Sequence, residues 1–132
     1  MKTFFKYQLP PLVWVIAIYL LAAIPGLRLE IKSAPGIDKI EHAFLYFILC
    51  GLARRAFIHQ EMLPALKRSA LLGAFFFSSV FGALEEYHQN FIIGRENDPY
   101  NVLANIAGAL LFVSIAWLLH QDEKTEDENR YS

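Results

Sequence analysis

Three short stretches gather ionisable and carboxamide side chains able to do chemistry in a largely apolar chain. The first carries Asp38, Lys39, Glu41 and His42, the second Glu85, Glu86, His88 and Gln89, and the third Asp98, Asn101 and Asn105. A histidine among carboxylates titrates near neutral pH and suits proton transfer. Carboxamides orient a partner through paired donors and acceptors. Lys39, with Arg95 ahead of the third stretch, offers cations for a phosphate or carboxylate. Helical spacing sets which of these groups can meet. Asp38 and His42 are i,i+4, and Lys39, His42 and Tyr46 share one face. Glu86 and Gln89 are i,i+3, with Gly82 and Ser79 continuing their stripe, while Asn101, Asn105 and Gly108 form another. His42 and Glu86 are the candidate acid/base pair. Asp38, Lys39, Tyr46, Gln89, Arg95, Asn101 and Asn105 are candidate binding residues.

Each position also has a structural reading. Asp98 before Pro99 makes a good N-cap and N1 pair, and Asp38 can cap its own helix. Asn105 can serve as interhelical glue, and His42 can belong to a structural ion-pair network. No HExxH spacing is present, so no metal ligand set is assigned, and no cofactor is expected.

The elements that must position these groups follow from hydropathy. Of the 132 residues 55% are hydrophobic, clustered in blocks that a soluble domain of this size has too little interior to bury. Four segments therefore read as membrane spans: 9–27, 37–57, 67–91 and 99–120. The first follows Lys2 and Lys6 as a signal peptide would, but it has no charge and only a poor small-residue cleavage pattern, since Ala22-Ala23 runs into Ile24-Pro25-Gly26; it reads as a retained span, with a cleaved signal as the alternative. Short links imply an all-α membrane protein, four transmembrane helices in an up-down bundle. Residues 1–120 form the membrane domain and 121–132 an acidic tail expected to be disordered. Net charge of −1 offers nothing to nucleic acid, and the lone Cys50 reads as packing material.

Orientation comes from Lys and Arg. With both termini inside, the cytoplasmic segments hold Lys2, Lys6, Arg54, Arg55, Lys67, Arg68, Lys124 and Arg130, against Arg28, Lys32, Lys39 and Arg95 outside. That excess favours cytoplasmic termini and an extracytoplasmic polar cluster. Glu85 stands 17 residues from Arg68, about 25 Å along a helix, so the cluster should lie partly within the hydrocarbon. Ionisable groups at that depth need partners facing the bundle interior.

The segment Asp38-Lys39-Ile40-Glu41-His42-Ala43-Phe44-Leu45-Tyr46 resembles the DKxxHxxxY signature of the VanZ-like family. The segment EEYHQNFIIGRENDPYNVLANIAG, from Glu85 to Gly108, resembles the second signature of that family. Asp38, Lys39, His42 and Tyr46 match the first; Glu86, Gln89, Gly94, Arg95, Asn105 and Gly108 match the second. Two positions depart: Ile93 stands where the family has proline, and Asn101 where it has aspartate, with Asp98 three residues earlier as an alternative acid. The resemblance covers nearly the whole chain. It implies a multi-pass protein of the bacterial cytoplasmic membrane, of a family named for resistance to the glycopeptide teicoplanin. The implied partner is a membrane lipid or lipid-linked envelope precursor.

Three functions then compete. One is a non-enzymatic envelope protein acting at the outer face on such a target. A second is a membrane-embedded acid/base enzyme on a lipid or lipid-linked sugar, with His42 and Glu86 exchanging the proton. A third is a proton-coupled transporter, which would require a homo-oligomer because four unbroken spans leave little room for alternating access. No G-x-S-x-G nucleophile is present. Glu85-Glu86 is similar to the EExxxR start of glutamic CAAX-type proteases, but Asn90 stands at the arginine position.

Overall fold

The computed structural model describes residues 1–24, 36–94 and 98–131, with backbone only beyond residue 120. It is all-α, without a strand among the described residues. A π-helical turn, Phe4–Gln8, leads into α1 (Leu9–Ala23); α2 covers Ile37–His59, α3 Pro64–Arg68, α4 Ala70–Gln89 and α5 Pro99–Tyr131. Two stretches are long and apolar enough to cross a membrane, Phe4–Ala23 and Pro99–His120.

The boundaries depart from expectation in ways the local chemistry explains. Helical structure begins ahead of Leu9, in a turn closed by the Leu9 N–H on the Phe4 carbonyl, and Pro10 and Pro11 in the first turn of α1 have no amide hydrogen to donate back to it. That turn widens to the π form. The expected single helix over 67–91 is broken at Ser69, whose backbone leaves helical geometry (φ −107°, ψ 32°). The Ser69 hydroxyl donates back to the Ala65 carbonyl at 2.9 Å, which competes with regular continuation and leaves α3 as a separate turn. α4 ends at Gln89 and unwinds through tight i→i+3 bonds toward Gly94, whose φ of +83° suits glycine. The α5 backbone stays helical through 121–131, where the sequence suggests a disordered tail; glutamate, glutamine and lysine there are good helix formers.

α2, α4 and α5 pack mutually, and α1 lies along α2 with a lighter contact to α4. The starts of α2 and α5 meet the end of α4, so neighbours in sequence run in opposite directions. Small residues make this possible. Cys50, Ala53, Ala74 and Ala109 form one buried cluster, with Phe57, Phe75 and Phe112 packed around it. A Cβ added at Gly108 would stand 2.0 Å from the Ala43 carbonyl oxygen, so α5 and α2 touch backbone to backbone there. A second cluster, Ile18, Tyr46 and Leu49, joins α1 to α2. Two side chains tie α1 down: Trp14 Nε1 donates to the Leu45 carbonyl and Gln8 Nε2 to the Ala56 carbonyl, each at 3.0 Å.

The outward faces are apolar on all four long helices. Leu12, Phe44, Leu84 and Leu103 are each exposed by half or more of their surface. The hydropathy of α2 is lowered by Asp38, Lys39 and Glu41 near its start and by Arg54 and Arg55 near its end, and that of α4 by Glu85 and Glu86 near its end.

Candidate functional site

The three polar stretches meet at one end of α2, α4 and α5 and build one hydrogen-bonded layer. His42, Glu85, Glu86, Gln89, Asn101 and Asn105 are all buried. Asn105 stands at the centre. Its Oδ1 is 2.9 Å from His42 Nδ1, and its Nδ2 reaches the Gly82 carbonyl over a long 3.5 Å. That amide orientation makes Oδ1 the acceptor, so the imidazole donates from Nδ1. Gly82 is required at the crossing, because an added Cβ would come within 3.0 Å of Asn105 and closer still to Tyr46.

Glu86 is held by neutral donors. Its Oε1 accepts from the Asp98 backbone N–H at 3.0 Å and from Asn101 Nδ2 at 3.1 Å, and its Oε2 from Gln89 Nε2 at 3.2 Å. A carboxylate offers about four lone-pair sites, so three are taken. The same Gln89 nitrogen donates to Glu85 Oε1 at 2.6 Å, coupling the two glutamates through one amide. One residue apart on a helix, the two point about 100° apart. Glu86 turns toward the start of α5, whereas Glu85 lines a small cavity with His42, Tyr46, Leu45 and the α1 residues Ile18, Leu21 and Ala22. Tyr46 is fully buried, and its hydroxyl has no hydrogen-bond partner among the described residues.

Lys39 forms the outer rim. Its Nζ bonds Asp38 Oδ2 and Asp98 Oδ2 at 2.5 Å and Asn101 Oδ1 at 2.7 Å, so all three ammonium hydrogens are used. An incoming phosphate would therefore compete with two carboxylates for this cation. Asp98 serves twice, since Oδ1 also accepts from the Tyr100 N–H at 2.9 Å as the cap of α5. The bond to Lys39, helped by the Tyr100 amide, holds the Asp98 carboxyl below the ordinary carboxylate range. Asp38 does not cap: α2 starts after Gly36, in a left-handed conformation (φ +95°), and Asp38 sits exposed within the first turn. A negative charge there still complements the helix dipole.

The expected residues thus converge, except that Arg95 lies outside the described residues. Asp98 and Asn101, the two candidates for the position where the VanZ-like signature carries aspartate, both reach Lys39. His88 stands apart from the layer, its ring 5.2 Å from that of Tyr19 on α1. Sequence spacing singles out Glu86, whereas the cavity beside His42 is lined by Glu85. The adjacent Glu-Glu pair was the available signal, but spacing alone does not say which member faces which neighbour. Compared with known proteins, the chain matches no family model, no curated protein and no solved structure. The fold and site define an all-α protein with candidate membrane-spanning helices and a buried imidazole–carboxylate–amide centre.

Proposed function

We propose that this chain is a VanZ-like multi-pass protein of the bacterial cytoplasmic membrane, with four spans and both termini inside. Its polar layer lies at the extracytoplasmic end, where it acts on a lipid-linked envelope precursor or glycopeptide target. One observation carries this reading: His42 of the first VanZ-like signature bonds Asn105 of the second across helices, and Lys39 of the first bonds Asn101, the position at which the second departs. The two signatures therefore behave as one site. The apolar outer faces of α2 and α4 support spans in addition to those of α1 and α5. Paired polar groups facing the bundle interior suit the depth at which they would lie.

Topology and action are tested separately. In a Cys50→Ala background, Ile93→Cys should react with a membrane-impermeant maleimide in intact cells, and Met62→Cys only after permeabilisation. Both positions are about nine-tenths exposed or more. The reverse pattern would put the polar layer inside. Expression in a susceptible host should raise teicoplanin tolerance, and Asn105→Leu, which removes the central amide, should abolish the gain. Unchanged tolerance on expression would overturn the envelope target.

A second reading, a membrane-embedded acid/base enzyme, is favoured by the nearness of His42 to Glu85 and Glu86, one ligand-type atom of each lying within 4.8 Å of the others. Here Glu85 takes the acid/base role with His42, and Glu86 positions the layer. Full activity in cells with Glu85→Gln would sink that reading.

A further inference from the structure

We infer that His42, Glu85 and Glu86 form a binding site for a divalent transition-metal ion of the zinc or manganese class. The three are buried and come from two helices, and their candidate ligand atoms all lie within 4.8 Å of one another. Ligation at about 2.0–2.2 Å from a shared ion brings such atoms to about 3–3.5 Å from one another. Because three donors hold Glu86, rotation about the side-chain bonds of Glu85 is what would close that difference on an ion.

The surroundings are those that a metal site requires. A ligating histidine is oriented by a hydrogen bond from its other ring nitrogen. His42 has that bond, Nδ1 to Asn105 Oδ1, which assigns Nε2 to the ion. Ligating carboxylates are themselves held by donors. Glu86 has three such donors, and its remaining lone-pair site is on Oε2, on the side shared with Gln89 and Glu85. Gln89 Nε2 holds both glutamates at once and keeps their oxygens near each other.

The Tyr46 hydroxyl points independently to a ligand. This phenol is fully buried, lines the cavity beside His42 and Glu85, and has no hydrogen-bond partner among the described residues. A buried hydroxyl left unbonded is costly. A water molecule on the open coordination position would take its hydrogen bond. One imidazole and two carboxylates favour zinc, manganese or ferrous iron over the all-oxygen coordination that calcium and magnesium prefer. The site does not depend on which envelope target the outer face recognises.

The test uses the full chain purified in detergent and stripped with chelator. Titration with Zn2+ and with Mn2+ should show one site per chain, and Co2+ should give visible absorption bands that Zn2+ displaces. His42→Gln and Glu85→Gln should each weaken Zn2+ binding at least 100-fold, and Asn105→Ala roughly 10- to 100-fold as an outer-shell partner. Tyr46→Phe should alter the cobalt spectrum. His59→Gln and His88→Gln should bind as the wild type does. A wild-type protein that takes up none of these ions overturns the inference, with no need for any variant to fold. So does Zn2+ affinity retained in the folded His42→Gln protein.

Discussion

The carboxylate of Glu86 and the backbone N–H of Asp98 stand 3.0 Å apart, joining the end of α4 to the residue that caps α5. This contact crosses the link that holds Arg95. It explains how a buried glutamate near a helix C-terminus, where the dipole opposes a negative charge, is accommodated. Two of its three donors, the Asp98 N–H and Asn101 Nδ2, come from the start of the next helix, whose N-terminal end favours anions. With Asn101 and Gln89 completing the set, Glu86 holds the layer in place.

Exchange of carboxylate and amide tests that assignment. Glu86→Gln should turn an amide toward two N–H donors, and Asn101→Asp should oppose two carboxylates across the 3.1 Å contact. Each single variant should cost roughly 1–3 kcal/mol, the range for a buried polar group left unsatisfied. The double variant restores one carboxylate and one amide, so it should cost less than the sum by about 1 kcal/mol or more. Denaturant or thermal unfolding in detergent measures all three. Strict additivity would mean that the pair does not interact.

The Lys39–Asp98 pair makes a pH prediction. Because the folded-state carboxyl of Asp98 is held below its usual 3.8, its ionised form is favoured by folding. The contribution is present above the ordinary carboxylate range and disappears as pH falls through the depressed folded value. Asp98→Asn keeps a good capping side chain but loses the charge. Wild type and variant should therefore differ in melting temperature at neutral pH, begin to converge near pH 3.8 and coincide once the pH is below the depressed folded value. A difference that grows on acidification would contradict the pairing.

Packing makes the third prediction. Gly108→Ala places a methyl group against the backbone of Ala43, which cannot rotate away as a side chain could. The variant should lose about 1–3 kcal/mol, the usual cost of overpacking, and Gly108→Leu should fail to fold. Ala107→Leu, one position away on an exposed face, should be near neutral in the same unfolding assay.

Much of this organisation is legible from residue order. Apolar blocks mark the four long helices, and polar residues at a start, an end and a start mark one shared end. The small residues Gly82 and Gly108 mark close approach before any contact is seen. Other features depend on the third dimension. Glu85 and Glu86 are chemically alike, and their separation into a cavity wall and a helix tie depends on how α4 is rotated between α1 and α5. Ser69 interrupts a helix through a hydroxyl bond that an apolar pattern does not register. Tyr46 looks like an ordinary core aromatic, yet its buried hydroxyl has no hydrogen-bond partner among the described residues.

The seat of the Ala43 carbonyl over Gly108 acts as an index mark between two helices. Ala43 is the residue after His42, and Gly108 lies three residues beyond Asn105. Sliding α5 along α2 by one turn would shift the partners by about 5.4 Å, enough to carry Asn105 away from the imidazole. The bundle therefore sets the alignment of its centre where backbones touch.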